Sequence, residues 1–572
     1  MRRSRSASAP TCWSPARWSW RPPPRRSSAT SAWRPPTSAR RSEMGGPAER
    51  YRRRGWWTGE ALVDRFARHA AARPEVPAVV DGADRWSAGR LWDVAGAGAE
   101  RITEAAGGGR RPVLIHLPNG AEWMVSFLAT LRSGHVPATI PITTPGAHLA
   151  HVVDLIDPAA VITCEDHHGT APVRTVQEAT GLTAVSPALL TAGGSELAVR
   201  SGAGRAGHRA GVPAATSHLM FTSSTTGPPK AVSHSDDTLA TLNRQFADRF
   251  GLDGTSPIFM PSPLGHSVGA IHGARLSLYL GAPLVLQDRW DAGEALRLVD
   301  EHEAVFTAAA TPFLLDLLNA RWAGPRPKLA SLRSFLCGGA HVPPALMQRC
   351  SREFPHTFVT PLWGMTEGGL TTCVDGAPAE LVRSTVGVGL PDLELRVIDG
   401  GGRLREEGEG ELVMRGPGVF NGYYGQPELY RRSTTTGGFF RTGDLARIRP
   451  DGYVVITGRL KDLIVRGGVN ISPVDTENTL AGHPDVDGVA VIGWPDDRLG
   501  ERLCAVVRST AALDLATLLD FCERSGLPRR CWPERLEIVA EFPRTAAGKI
   551  RKQELREQLL ARQPLSGGAS GE

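Results

Sequence analysis

At 572 residues, 41% of them hydrophobic and 22% charged, the chain has material for a large core and for at least two domains, which excludes a peptide-sized binding module. The formal charge of +6 suggests a basic protein, but residues 1–43 hold ten Arg and one Glu, an excess of +9 that leaves the remainder near −3. A nucleic-acid-binding role therefore loses its support, because no basic stripe runs through the part expected to fold.

The first 43 residues, beginning MRRSRSASAPTCWSPARWSW, show neither helical nor strand period and are expected not to fold. Their Arg- and Ser-rich, acid-poor start is like a transit peptide, yet four Trp (Trp13, Trp18, Trp20, Trp33) and clustered prolines fit that poorly. Met44 is the expected true start, an expectation refuted by native protein whose N-terminal sequence begins upstream of it. The eight cysteines are scattered, with no C-x-x-C pair and no His partner at metal spacing, and predict buried free thiols in a reducing cytoplasm. No apolar run approaches the ~20 residues that span a bilayer, and no signal-peptide core precedes a small-residue cleavage site. A soluble, cytoplasmic protein is expected.

From about Glu60, segments of helical period such as GEALVDRFARHAAARP alternate with short apolar runs at Val113 to Leu117, Ile258 to Met260 and Pro283 to Leu286. This alternation predicts α/β layers with largely parallel sheets. The strand candidate His218 to Phe221 runs into Thr222-Ser223-Ser224-Thr225-Thr226-Gly227-Pro228-Pro229-Lys230. Such a loop suits a polyphosphate: hydroxyls and backbone N–H groups donate, Gly227 lets the backbone approach, and Lys230 balances charge. It lacks the spacing of the P-loop NTPases, and by itself the stretch is better explained as a Ser/Thr-rich surface loop. Pro261-Ser262-Pro263-Leu264-Gly265-His266-Ser267-Val268-Gly269 opens a helical segment, and Gly338-Gly339-Ala340 follows the apolar Ser334 to Cys337. After Lys461 the sequence changes character. Strand candidates at Val489 to Ile492 and Leu503 to Val507 and a helical Leu513 to Cys522 predict a smaller α+β domain.

The loop at 222–230 resembles the YTSGTTGxPKG signature of the adenylate-forming ANL superfamily, which comprises acyl-CoA synthetases, adenylation domains and luciferases. Ser224 and Ala231 stand where that family usually has Gly. The resemblance continues in family order through Trp363-Gly364-Met365-Thr366-Glu367, Arg441-Thr442-Gly443-Asp444, Gly458-Arg459-Leu460-Lys461-Asp462, Gly467-Gly468-Val469-Asn470 and Pro543-Arg544-Thr545-Ala546-Ala547-Gly548-Lys549. It covers Met44 to about Arg562 and implies an extension at 1–43, a large adenylation domain at 44–459 and a mobile C-terminal domain at 460–572.

The same resemblance implies roles. Attack of a carboxylate on the ATP α-phosphate brings two anions together, so cations and Mg²⁺ are required. Thr222 to Gly227 and Lys230 are expected to hold phosphates, with Gly364, Met365 and Thr366 beside the nucleotide, Thr366 on the α-phosphate and Glu367 on Mg²⁺. Trp363, where the family commonly has Tyr, offers a flat face to adenine. Asp444 is expected to clamp the ribose and Arg459 to reach the ribose or α-phosphate. Gly338, Gly339 and Ala340 would pass between adenine and an acyl pocket shared by His266, Ser267, Gly339, Gly364 and Gly368. Lys549 would bridge carboxylate and α-phosphate, Lys461 would be the hinge, and Gly467 and Gly468 would line a channel for the pantetheine thiol.

The resemblance thus implies activation of a carboxylic acid as acyl-AMP followed by thioester formation with coenzyme A. The 261–269 element has no Asp of the kind that holds an amino acid's ammonium group, and Ser267 stands where aryl-acid relatives often carry Asn; both departures favour an apolar or alicyclic acid. No inserted segment of the fatty-acyl-AMP ligase kind is visible, and 23 residues follow Lys549, so coenzyme A is expected, with a separate carrier protein's phosphopantetheine as the alternative acceptor. A non-catalytic ligand sensor would be expected to lack Lys549 or Glu367, and both are present, as are Asp444 and Arg459.

Overall fold

The computed structural model describes residues 46–180, 188–193, 196–201, 212–222, 227–320, 329–339, 342, 344–545 and 548–562. The extension 1–43, Met44, Ser223 to Thr226, Ala340, and Ala546 and Ala547 lie outside the described residues.

The central strands of the two large sheets are short, fully buried and mainly apolar runs, as expected where both faces of a sheet are covered. An eight-stranded sheet runs in the order Gly422–Tyr423, Ala231–His234, His218–Phe221, Val136–Thr139, Pro112–Ile115, Ala160–Thr163, Ala188–Gly193, Glu196–Ser201. A nine-stranded sheet has the order Val388–Gly389, Gly368–Thr372, Phe358–Met365, Ser334–Gly338, Phe306–Ala310, Ile258–Met260, Leu284–Leu286, Pro77–Asp81, Asp84–Ser87. Their central pairs are parallel and their edges antiparallel. Successive side chains on a strand point to opposite faces, and the packing follows that period. Val113, Ile115, Val79, Ile258, Met260 and Leu336 join one cluster with Trp123, Phe127, Phe246 and Leu91, from helices held between the two sheets. Their neighbours Val80, Phe259, Phe335 and Cys337 face the helices Ala292–Glu301, Thr311–Asn319 and Pro344–Glu353, while Leu114 and Val161 face Gly146–Ile156 and Pro172–Thr180. The result is five layers, helix on sheet on helix on sheet on helix.

The expectation of α/β layers holds for these two sheets. A third sheet, Leu404–Arg405, Glu394–Ile398, Gly408–Arg415, Phe440–Ile448, Val454–Arg459, is entirely antiparallel. After the short turn Leu460–Asp462 the chain forms a last sheet, in which Gly488–Asp496 and Gly500–Arg508 pair along nine residues. Its two faces are again apolar: Val491, Leu503, Ala505 and Val507 on one, Ala490, Ile492, Cys504 and Val506 on the other. The described residues from Ala48 to Arg562 form one compact unit. Among the described residues no helix is long and apolar enough to cross a membrane.

Candidate active site

The antiparallel pair His218–Phe221 and Ala231–His234 carries the loop that the sequence marks for phosphate. Its base is closed by Thr222 N donating to Lys230 O at 3.1 Å and Lys230 N donating to Thr222 Oγ1 at 3.2 Å. Gly227 is exposed. The Lys230 ammonium lies 5.3 Å from the centre of the Tyr423 ring. Tyr423 is brought there by the two-residue strand Gly422–Tyr423, which pairs with Ala231–His234 in the register Tyr423↔Val232. Its hydroxyl donates to Glu367 Oε1 at 2.6 Å.

Glu367 occupies the tight connection between Phe358–Met365 and Gly368–Thr372. The connection needs glycine: Gly368 and Gly369 have φ of +95° and +70°, and a Cβ would lie 2.3 Å from Gly418 O and 2.0 Å from Met414 Sδ, respectively. Burial pushes the Glu367 carboxyl up, opposed by the Tyr423 hydroxyl, the residue's own amide and Lys230, and reinforced by Asp444. Thr366 is fixed from two sides. His234 Nε2 donates to Thr366 O at 2.8 Å, and Thr366 Oγ1 donates to Ser267 Oγ at 3.3 Å. A carbonyl can only accept, so His234 carries its proton on Nε2 and takes a bond from Thr238 Oγ1 at Nδ1, 3.1 Å away. Burial pulls the His234 pKa down to about 4, which keeps the ring neutral. The next residue, Ser235, caps the helix Asp236–Phe250 through a reciprocal capping box with Thr238, so the chain's exit from the strand is fixed.

On the other side, Asp444 and Arg459 are direct cross-strand partners, with Arg459 Nε 2.8 Å from Asp444 Oδ1. Trp363 Nε1 donates to Asp444 Oδ2 at 2.8 Å, and both residues are buried. Each carboxylate oxygen accepts one bond and retains a lone pair for a further donor. Gly364 and Gly339 are exposed and Met365 is half-buried, so this edge faces open space. A Cβ on Gly338 would come within 2.9 Å of Leu362 O, and one on Gly364 within 2.2 Å of Leu370 Cδ2, whereas Gly339 (φ +81°) meets only Ala310 Cβ at 4.0 Å.

The small domain reaches the same place. Thr545 N donates to Lys549 O at 2.8 Å, Lys549 N to Thr545 Oγ1 at 3.1 Å, and Arg544 to Gly548 O at 2.7 Å, which ties the lysine into a closed loop. A Cβ on Gly548 would lie 3.5 Å from Pro312 Cγ, so the loop sits on the start of the helix Thr311–Asn319. Desolvation and the nearby Arg459 and Lys461 bring the Lys549 pKa down to about 8, against the pull of Asp444 and Asp462. Burial, and then Lys549, hold His266 near pKa 4. Lys230, Glu367, Asp444, Arg459, Lys549 and His266 are thus linked through one continuous set of charges.

The exposed Lys461 lies in the turn Leu460–Asp462, next to this set. Gly467 and Gly468 (φ +57° and +80°) form the turn of the hairpin Ile464–Arg466 and Val469–Ile471; it is exposed and tied by Gly467 N to Leu499 O at 2.7 Å. The sequence reading did not find Tyr423 or His234. For Tyr423 the available signal is the aromatic pair inside Asn421-Gly422-Tyr423-Tyr424-Gly425; His234 has none, because its role depends on where the carbonyl of residue 366 falls.

Residues 66–424 match the AMP-binding enzyme family and residues 475–549 the AMP-binding enzyme C-terminal domain. The chain is 31% identical over 535 residues to the medium-chain fatty-acid–CoA ligase of Escherichia coli (strain K12), covering 90% of this chain and 93% of that protein. It is 32% identical over 541 residues to the salicyl-AMP ligase / salicyl-S-ArCP synthetase of Mycobacterium tuberculosis, covering 90% and 94%. Among solved structures, ATP-bound MatB from Rhodopseudomonas palustris superposes with a TM-score of 0.74 at 27% identity, covering 87% of this chain and 98% of that one.

Proposed function

The chain belongs to the AMP-binding enzyme family, whose ATP-dependent acid activation it shares, and from that premise we propose that it converts an apolar or alicyclic carboxylic acid to its coenzyme A thioester through an acyl-AMP. The observation that carries this reading is the convergence of Lys230, Glu367, Asp444, Arg459 and Lys549, contributed by both domains, on one set of interacting charges.

In the first half-reaction a carboxylate oxygen of the acid attacks the α-phosphorus of ATP, forming the acyl–phosphate bond as the bond to pyrophosphate breaks. Lys549 reaches both anions and neutralises the repulsion between them, while Lys230 and the 222–227 loop carry the departing phosphates. Thr366, held by His234 and Ser267, presents its backbone amide to the α-phosphate. Asp444 accepts from the ribose hydroxyls on its free lone pairs, and Trp363, fixed by its N–H bond to Asp444, lays its ring against adenine. Glu367 is a buried carboxylate pressed toward neutrality by desolvation, which suits a hard dication with oxygen preference, and it would hold Mg²⁺. Mg²⁺ when bound neutralises charge on the phosphate oxygens.

In the second half-reaction the thiol of coenzyme A attacks the acyl carbonyl and AMP leaves. The large domain, 44–459, stays in place while the small domain, 460–572, turns about Lys461, withdrawing Lys549 and bringing Gly467 and Gly468 toward the acyl group. His266, Ser267, Gly339, Gly364 and Gly368 border the acyl pocket. The buried free thiols at seven described cysteines support a reducing, cytoplasmic setting.

The similarity to the salicyl-AMP ligase / salicyl-S-ArCP synthetase favours a second acceptor, the phosphopantetheine of a separate carrier protein. One experiment separates the readings: AMP release from ATP across a panel of acids, with coenzyme A, with a holo-carrier protein, or with neither. Acid-dependent AMP and a thioester with coenzyme A alone support the proposal. Thioester on the carrier alone moves the acceptor to the second reading, and no acid-dependent AMP with any acid overturns both.

A further inference from the structure

Away from the nucleotide site, two adjacent histidines and an aspartate more than a hundred residues later meet on one oxygen atom. His167 and His168 follow the strand Ala160–Thr163 of the eight-stranded sheet. His167 and Thr170 exchange N–H to O bonds, both at 3.0 Å, around His168 and Gly169, whose φ values are +51° and +80°. Two consecutive left-handed residues make a tight primed turn. In an extended segment neighbouring side chains point to opposite sides, but this turn brings the two imidazoles to one side, with ring centres 4.5 Å apart. A left-handed φ is uncommon for any residue but glycine, yet His168 adopts it.

Asp288 comes from the other large sheet, two residues beyond the strand Leu284–Leu286. The residue before it is held on both sides: Asn119 Nδ2 donates to Gln287 O at 3.1 Å, and Gln287 Nε2 donates to Asp291 O at 2.9 Å. Asp288 Oδ2 lies 2.9 Å from Nε2 of His167 and 2.9 Å from Nε2 of His168. The three donor atoms fall within 4.8 Å of one another. Other carboxylates are near: burial and then Asp288 and Asp84 raise the carboxyl of Asp81, and burial, reinforced by Glu122, Asp288 and Asp166, pushes the Cys164 thiol to about 11.

We propose that His167, His168 and Asp288 bind one Zn²⁺ ion, which pins the loop of the eight-stranded sheet to the strand end of the nine-stranded one. Two imidazole nitrogens and a carboxylate oxygen are a donor set for zinc, and they disfavour Mg²⁺, which takes oxygen. Zinc–ligand bonds of about 2.0–2.2 Å place tetrahedral donors roughly 3.3 Å apart; each nitrogen–carboxylate pair, now at 2.9 Å, must open by a few tenths of an ångström, and the two nitrogens start within 4.8 Å of each other. Each ring now points Nε2 at the carboxylate; on binding, that nitrogen's lone pair goes to the ion and the ring proton resides on Nδ1. Solvent fills the remaining position, since the side chain of His168 is 53% exposed. A site of this composition is separate from the phosphate chemistry, so its occupancy and the reaction can be measured independently.

The test uses untagged full-length protein, stripped with a chelator and kept in excess Mg²⁺ so that the phosphate site does not compete. Zn²⁺ is titrated calorimetrically and Co²⁺ by visible absorption. One ion per chain, intense Co²⁺ ligand-field bands of a low-coordinate site and a rise in Tm with Zn²⁺ are expected. Asp288→Asn and His168→Gln are each expected to weaken binding about tenfold or more and to remove the Tm rise, with acid-dependent AMP release unchanged. Absence of binding at micromolar ion, or wild-type affinity in both variants, overturns the proposal. Should Asp288→Asn fail to fold, His168→Gln, at an exposed turn, gives the same answer alone.

Discussion

Tyr423 donates its hydroxyl proton to Glu367 Oε1 across 2.6 Å, and both side chains are buried. The bond works against desolvation, which pushes the Glu367 carboxyl up, and it therefore favours the ionised form in which this acid would hold Mg²⁺. In Tyr423→Phe the carboxylate retains only its own amide and the more distant Lys230. A hydrogen bond to a charged group contributes about 1.5–3 kcal/mol, so the KM for ATP·Mg²⁺ is expected to rise about tenfold or more. The acid limb of the activity profile should move to higher pH, because protonated Glu367 becomes easier to form. Carboxylate-dependent pyrophosphate exchange measured against pH and Mg²⁺ checks both, and an unmoved acid limb would remove Tyr423 from this role.

The same pair shows what the sequence could and could not convey. Glu367 is legible because it follows Thr366 inside a recognisable string, and Asp444 and Arg459 because each has its own motif. Tyr423 is not, since its contact with Glu367 depends on a two-residue strand landing beside Ala231–His234, a long-range register that no local pattern encodes. The strand runs at His218–Phe221 and Ile258–Met260 were readable for the opposite reason: both faces are covered, so every residue is buried and, His218 apart, apolar. The antiparallel sheet from Glu394 to Arg459 was missed, because its strands are only partly buried and carry charged residues such as Arg396, Glu409 and Arg447.

Lys549 is held near pKa 8 by desolvation and by Arg459 and Lys461. Lys549→Ala is expected to lower acyl-AMP formation at least about a hundredfold, the scale of losing one charge-stabilising donor, while transfer from preformed acyl-AMP to the thiol remains. In the proposed mechanism the working form is the ammonium. Its folded pKa lies below the ordinary lysine value of 10.5, so charge is lost as pH rises through about 8 rather than through 10.5. The kcat/KM for ATP in adenylation should fall above about pH 8, since this parameter reports the free enzyme. Pyrophosphate exchange and single-turnover transfer, measured separately, distinguish the half-reactions; loss of both to the same extent would contradict the assignment.

Lys461 lies at the second position of the turn Leu460–Asp462, directly after the strand that ends at Arg459. A pivot must change φ and ψ, and proline fixes φ near −65°. Lys461→Pro is therefore expected to slow thioester formation at least about tenfold more than acyl-AMP formation, the arrangement with Lys549 in the site being the one already formed. Rapid-quench measurement of both products from one reaction checks this. Equal loss of the two rates would place the hinge elsewhere.

Three buried histidines make acid stability a separate test of the core. His116 and His234 have pKa values pulled to about 4 and His272 to about 3, in each case chiefly by burial. All lie below the unfolded value of 6.5, so the unfolded chain takes up protons first as pH falls. The stability held above that value is lost progressively on the way to pH 4, at about 1.4 kcal/mol per pH unit for each histidine neutral when folded and charged when unfolded. His272 stacks on Phe246 at 4.2 Å with Nδ1 unpartnered, so a leucine there keeps the apolar contact and removes the titration. Tm measured between pH 7 and pH 4 should fall steeply in the wild type and less steeply in His272→Leu. Parallel curves would mean that His272 finds a proton-accepting partner in the folded protein and is not held neutral by its surroundings.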